Sequence, residues 1–282
     1  MRATAVAVLA VLILVLLLTP PKMIVLGTNM VFDATFGNPA LFLSTHYGAV
    51  LGTDGVMRFL GGRIVGLNAT CIFYVADSLH AYFPEADKDL PISDTRPQVY
   101  TKIGGLEIVG EMAKEGLVVH YSGRTYTVGG SWRIGFYPDW VLLINETTYM
   151  LFGREVIMGH HNFSVYYPVP GPVPAVGGLR FSGRQFSGFL LFPGNGTELA
   201  PVLGAYRATF YVDGGLAFLV ERTDYWNKVG EIDVYVNGKT RKVLRNDPEN
   251  YFTPQACAYY GGRLFLVGDR AGRTVMLSTG WD

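Results

Sequence analysis

The sequence predicts an all-β chain folded as a six-bladed β-propeller, with seven blades the allowed alternative, preceded by one N-terminal apolar helix. The first observation behind this is an internal repeat. Gly214-Gly215-Leu216-Ala217-Phe218-Leu219-Val220-Glu221 returns as Gly261-Gly262-Arg263-Leu264-Phe265-Leu266-Val267-Gly268. Shorter copies begin at Gly61, Gly104 and Gly177, and Pro138 to Ile144 keeps the strand without the glycines. The starts lie about 40 residues apart, which suits a four-stranded blade repeated around an axis. The second observation is composition. Glycine (35 residues) and aromatic residues (13%) are plentiful and amphipathic helical periods are hard to find, a pattern of short strands joined by tight turns. The third is the apolar run from Ala3 to Leu18, broken only by Thr4 and closed by Thr19-Pro20-Pro21-Lys22.

That run divides the chain into residues 1–22, a signal anchor or signal peptide, and residues 23–282, one propeller domain. As a helix its 16 residues reach about 24 Å, slightly short of the roughly 30 Å hydrocarbon layer, so length leaves both an uncleaved anchor and a cleaved signal open. Arg2 and the terminal amine favour a cytoplasmic N-terminus with the bulk of the chain outside. Export has a second support in the Asn-x-Ser/Thr triplets at Asn68, Asn145, Asn162 and Asn195, more than chance predicts for ten asparagines. The remaining charge is sparse. Charged residues make up 16% and balance to zero, which leaves no basic face for nucleic acid.

Read in order, short strands follow one another from Met23 to Ala34, Ala40 to Ser44, Gly48 to Leu51 and Gly55 to Leu60, with Asp54-Gly55 a hairpin turn. Arg63 to Leu67, Cys71 to Ala76 and Leu79 to Phe83 come next. Pro84 to Pro97, with Glu85, Asp87, Asp89 and Asp94, reads as a solvated insertion, since it lacks the glycine and final glutamate of a calcium loop. Strands resume at Gly105 to Val109, Gly116 to Tyr121, Arg124 to Val128, Trp132 to Tyr137, Trp140 to Ile144 and Thr148 to Phe152. Tyr167 to Val176 holds four prolines and reads as a stiff connection between two blades. In the clearest unit, Leu216 to Val220 is apolar on both faces and belongs inside. Glu231 to Val236 and Lys239 to Leu244 alternate across Asn237-Gly238 and belong nearer the rim, with Asp233 opposite Lys242.

The glycine pair, apolar strand and later hairpin loosely resemble the repeat shape of Kelch and quinoprotein-like propellers over about residues 104 to 282. Here the pair precedes the strand, and Trp132, Trp140, Trp226 and Trp281 do not recur in phase, so the resemblance implies a propeller and carries over no site residue.

Chemistry is thin. The five histidines are His46, His80, His120 and the pair His160-His161; adjacent residues in an extended chain point to opposite faces, and none shows metal-site spacing. His160-His161 reads as an exposed loop and His120 as a core histidine. No hydrolase elbow, zinc helix or phosphate loop is present, so no cofactor or metal is expected and no catalytic residue is identified. The favoured function is a membrane-tethered extracytoplasmic binding or assembly module with a cell-envelope protein or glycan as partner. The alternatives are an exported hydrolase or oxidoreductase with its site at the central channel, and a structural subunit of a surface layer or filament.

A ring must close. The usual solution pairs strands from the two ends of the chain in one blade, here a strand from Met23 to Ala34 with Leu264 to Val267 and Thr274 to Ser278. Closure would bring the repeats holding Cys71 and Cys257 side by side. They then either pair, worth roughly 5 kcal/mol from loop entropy, or remain two buried thiols.

Overall fold

The structure, a computed structural model, describes residues 22–37, 40–183, 185–224, 229–249 and 251–281. The described residues form seven antiparallel four-stranded sheets, the blades of a β-propeller. Blades 1 to 6 are continuous in sequence and begin with the strands Ala34–Phe36, Arg63–Leu67, Val99–Ile103, Arg133–Tyr137, Val165–Pro168 and Ala205–Val212. Each first strand lies nearest the axis, and the inner strands of blades 2 and 3, 4 and 5, 6 and 7, and 7 and 1 touch one another. The predicted N-terminal helix lies outside the described residues.

Blade 7 is made from both ends of the chain. Phe252–Tyr260, Arg263–Arg270 and Arg273–Gly280 supply three strands, and Lys22–Gly27 adds the outermost. Lys22 pairs with Ser278, Met23 with Leu277, Ile24 with Met276 and Val25 with Val275. The expected closure is therefore present, with a shorter strand than predicted. From Thr28 the chain crosses to blade 1, pinned where the Met30 amide donates to Thr274 Oγ1 (2.8 Å) and that hydroxyl donates back to the Met30 carbonyl (3.1 Å).

Seven blades replace the favoured six because the six repeat starts mark blades 2 to 7 and blade 1 carries no copy of the repeat. The copies at Gly104, Pro138, Gly177, Gly214 and Gly261 fall on second strands, whereas the copy at Gly61 runs into the inner strand Arg63–Leu67. The true second strands of blades 1 and 2 are Leu41–Ser44 and Ile72–Val75. Neither is announced by a glycine pair. Blade 2 turns instead on Asn68, whose Oδ1 accepts from the amides of Thr70 and Cys71 (both 2.9 Å), a side-chain turn that does the work of a glycine.

Seven hydrophobic clusters fill the ring, one at each interface between blades. The doubly apolar second strands explain this arrangement. In Trp140–Ile144, Val141 and Leu143 pack toward blade 3, while Leu142 and Ile144 pack toward blade 5. A strand with neighbours on both faces has no position left for a polar residue.

Cys71 belongs to the interface of blades 2 and 3 and Cys257 to that of blades 6 and 7, so blade 1 and its packing separate them. Both are free, buried thiols, and the disulfide alternative is not realised. Burial raises both thiol pKa values. Neither thiol is expected to react with iodoacetamide in the native protein at pH 8, and both should react after unfolding in guanidinium; native labelling at either, read by mass spectrometry, would show that its interface opens.

Three local expectations change. Pro84 to Pro97 contains the outer strand Lys88–Ser93, paired to Leu79–Phe83, so the polar stretch is the charged rim of blade 2. Its carboxylates cap buried tyrosines: Asp89 accepts from Tyr74 (2.7 Å) and Asp87 from Tyr82 (2.8 Å). Burial and then Asp87 push the Tyr82 pKa up to about 12. The proline-rich segment joins the inner and second strands of blade 5 and lies against the next blade, where the Pro170 carbonyl accepts from the Thr209 amide (2.8 Å). Asp233 does lie opposite Lys242, but it is buried and pairs with Arg222 (3.1 Å), while Lys242 turns outward to Glu231 (2.5 Å).

Strand direction defines two faces. Turns joining second to third strands, and those joining one blade to the next, lie on the mouth face; the other turns lie on the base face.

Candidate functional site

The inner strands start on the mouth face, and their first residues surround a cavity of about 510 Å³. Val31, Phe32 and Asp33 approach it from blade 1, Arg133 from blade 4, Val165 and Tyr167 from blade 5, Ala205 and Arg207 from blade 6, and Thr253 to Gln255 from blade 7. Blades 2 and 3 do not contribute. The reason is a break in sevenfold symmetry: the inner strand of blade 4 leans across the axis and touches those of blades 1 and 2. Phe136 on that strand packs against the cores on both sides. The central space is thus a funnel displaced toward blades 5 to 7.

Its polar groups are held in place. Glu221, only 3% exposed, accepts from Arg207 Nε (2.7 Å) and Nη2 (2.5 Å) at one oxygen and from the Tyr251 hydroxyl (2.9 Å) at the other. Asp33 accepts from the Thr45 amide (3.1 Å) and from the Thr45 hydroxyl. Its carboxylate is exposed to the funnel, whose walls desolvate it enough to raise its pKa against the lowering effect of Thr45. Gln255 bridges the blade 1 crossover, accepting from the Phe32 amide (3.0 Å) and donating to the Met30 carbonyl (3.4 Å). Arg133 lies over the Tyr166 ring, 5.2 Å from its centroid, and has no carboxylate partner among the described residues.

Most of the apolar wall comes from blade 5. Its second and third strands, Val176–Ser182 and Gln185–Leu191, run beyond the four-residue inner strand, which pairs only as far as Leu179. The overhanging hairpin carries Leu179 and Phe186 into the funnel, with the ring of Phe181, 58% exposed, beside Phe186. Arg180 braces its root by contacting Asn162 and Glu198 and by lying over the Phe189 ring at 4.0 Å. Sequence reading missed the funnel, because its residues come from five blades and form no motif.

The residues singled out from sequence lie elsewhere. Asn145 and Asn162 are on the mouth face and Asn68 and Asn195 on the base face, all at turns between strands. In three of the triplets the asparagine Oδ1 accepts from the amide two residues on, at Thr70, Thr147 and Thr197. Turn geometry therefore gives Asn-x-Thr a structural use at these sites, whatever their modification. His160 is exposed as expected, while His161 is partly buried, donating from Nε2 to the Asn145 carbonyl (2.8 Å) and stacking on Phe163; burial lowers its pKa. His120 is exposed and bonds Thr125 Oγ1 (3.2 Å), which corrects its reading as a core histidine. The alternation of the strand turns Val119 inward and His120 out. Among the described residues, no group of three or more His, Cys, Asp or Glu is placed to hold a metal ion.

A scan against protein families finds no match, and neither does a search of curated proteins. Solved structures do match in shape. The chain is similar to the structure titled YCF48 bound to D1 peptide, at 10% identity with a TM-score of 0.54, covering 93% of this chain and 97% of that one. It is similar to the β-propeller domain of the Trilobed protease from Pyrococcus furiosus, at 6% identity with a TM-score of 0.51, over 90% of this chain and 96% of that one. That propeller is described as having an open velcro topology, whereas blade 7 here is sealed by Lys22–Gly27. Pyrococcus horikoshii acylaminoacyl peptidase matches at 6% identity with a TM-score of 0.51, over 89% of this chain, which spans 52% of that protein. At these identities the likeness establishes the β-propeller fold and nothing finer.

Proposed function

We propose that this chain is an extracytoplasmic binding module of the cell envelope whose ligand is a segment of another protein seated in the mouth-face funnel. The observation that carries this reading is the funnel itself, which has a volume within the range of ligand sites and combines an apolar wall with positioned polar groups. The wall is built on strands, so little backbone adjustment is needed on binding. Support for a peptide ligand comes from the similar propeller named as bound to a D1 peptide, and the apolar run with the Asn-x-Ser/Thr triplets supports export and tethering. Arrays of peptides from envelope proteins, probed with the chain from Lys22 onward, test this. Leu179→Glu is expected to weaken captured peptides at least tenfold, about 1.4 kcal/mol. The reading fails if Leu179→Glu binds as well as the native chain. Cleavage of the peptides without a retained complex would favour the exported hydrolase instead.

A further inference from the structure

The apolar run ends at Leu18 and the closing strand begins at Lys22, so Thr19, Pro20 and Pro21 alone connect them. Three extended residues span at most about 10 Å. Where Lys22 sits in the ring thus decides which part of the propeller meets the membrane. Lys22 pairs with Ser278, near the end of Arg273–Gly280, a third strand that runs from mouth to base. The tether therefore leaves the ring at the base face, at the outer edge of blade 7.

The surface at that point has its own composition. Tyr260, 46% exposed, sits at the base turn of blade 7, and Val56, 50% exposed, follows the base turn of blade 1. The two turns are neighbours: Gly55 lies against Ile24 and Met276 of blade 7, and Thr53 and Asp54 line one cavity with Lys22 and Arg263 and another with Tyr260. Met23, 48% exposed, lies one residue past the exit. A tyrosine, aliphatic side chains and the cations Lys22 and Arg263 around a chain exit are the residue types that settle at a headgroup layer.

Resting on the tethered reading above, we infer that the partner of this surface is the lipid bilayer: the base edge at blades 7 and 1 faces the headgroups, and the funnel opens away from the membrane. The eight-residue strand Arg263–Arg270 gives blade 7 a height of about 26 Å at 3.3 Å per residue, which keeps the mouth clear of the headgroups. A ligand then reaches the funnel from the extracytoplasmic solution, and lateral entry from the bilayer is excluded.

The test uses the full chain in phosphatidylcholine vesicles. Single cysteines at Val56→Cys, Tyr260→Cys and, on the mouth face, Phe181→Cys are labelled with an environment-sensitive fluorophore; Cys71 and Cys257 are buried and stay unlabelled in the native protein. Co-flotation with the vesicles reports the tether, and quenching by a lipid spin-labelled at its headgroup reports the orientation. The expected result is loss of most fluorescence at positions 56 and 260 with the signal at 181 retained. Flotation with equal quenching at all three, or with quenching at 181 alone, overturns the orientation and leaves the tether standing. A chain that does not float overturns both.

Discussion

A chain that starts at Thr28 is expected to lose most of its stability and to self-associate, while one that starts at Lys22 folds as a cooperative unit. The difference is the seal Lys22–Gly27, the outermost of the four strands of blade 7. Ile24 and Leu26 pack into the interface of blades 7 and 1, each worth up to about 1.5–3 kcal/mol for its buried part. Several ladder hydrogen bonds at about 1 kcal/mol each add to this. Together they approach roughly 5 kcal/mol, the low end of a whole domain's stability. Removal also strips the outer partner from Arg273–Gly280, whose Val275, Met276 and Leu277 are buried, and leaves an apolar edge open to other chains. Thermal unfolding and light scattering of the two chains check this. Melting temperatures within a few degrees of each other, with both chains monomeric, would show that the seal is dispensable.

That seal was legible in the sequence, whereas the blade count was not. Closure follows from the cost of an open sheet edge, a requirement that any ring shares. Counting depends on a local marker, and the glycine pair marks a turn only where the backbone needs positive φ, as at Gly104 and Gly105 (φ 56° and 86°) or Gly261 and Gly262 (58° and 73°). Blade 1 enters its second strand Leu41–Ser44 without such a pair and so left nothing to count, and blade 2 makes the equivalent turn with Asn68. Gly177 and Gly178 mislead in another way, because they lie within a strand beneath the rings of Tyr167 and Phe163, where a Cβ would come within 2.4 and 2.0 Å of ring carbons. The funnel was illegible for a different reason. Asp33, Arg133, Arg207 and Glu221 are brought together by the ring, and their spacing along the chain follows blade lengths that vary from one repeat to the next.

The second large effect is expected from Arg207→Ala. Both of the guanidinium nitrogens that face Glu221 donate to one oxygen of a carboxylate that is 3% exposed. Removing the cation leaves a buried negative charge with the Tyr251 hydroxyl beside it, and breaking a buried pair from one side costs about 3–5 kcal/mol. Arg207 is itself 30% exposed in side chain, which places the expected loss near the lower figure. For a domain of this size that is a fall in melting temperature of roughly 6–12 °C. Adding Glu221→Gln is expected to recover part of it, since the amide carries no charge and still accepts from Tyr251. An Arg207→Ala protein that melts with the native one would mean that funnel water solvates Glu221 fully.

The closing of blade 7 also sets a clock. Met30 and Thr274, which hold the crossover, stand 244 positions apart, so the strand that is synthesised first waits for the strand that is synthesised last. At about 5–20 residues per second that wait is roughly 12–50 s. Throughout it, Lys22-Met23-Ile24-Val25-Leu26-Gly27 is an apolar segment with no partner, and blades that have already formed cannot shelter it. Ribosome-bound or prematurely terminated chains thus carry a ring with its latch undone, which makes the final turns of translation the interval in which this protein most needs a chaperone or a quality-control protease.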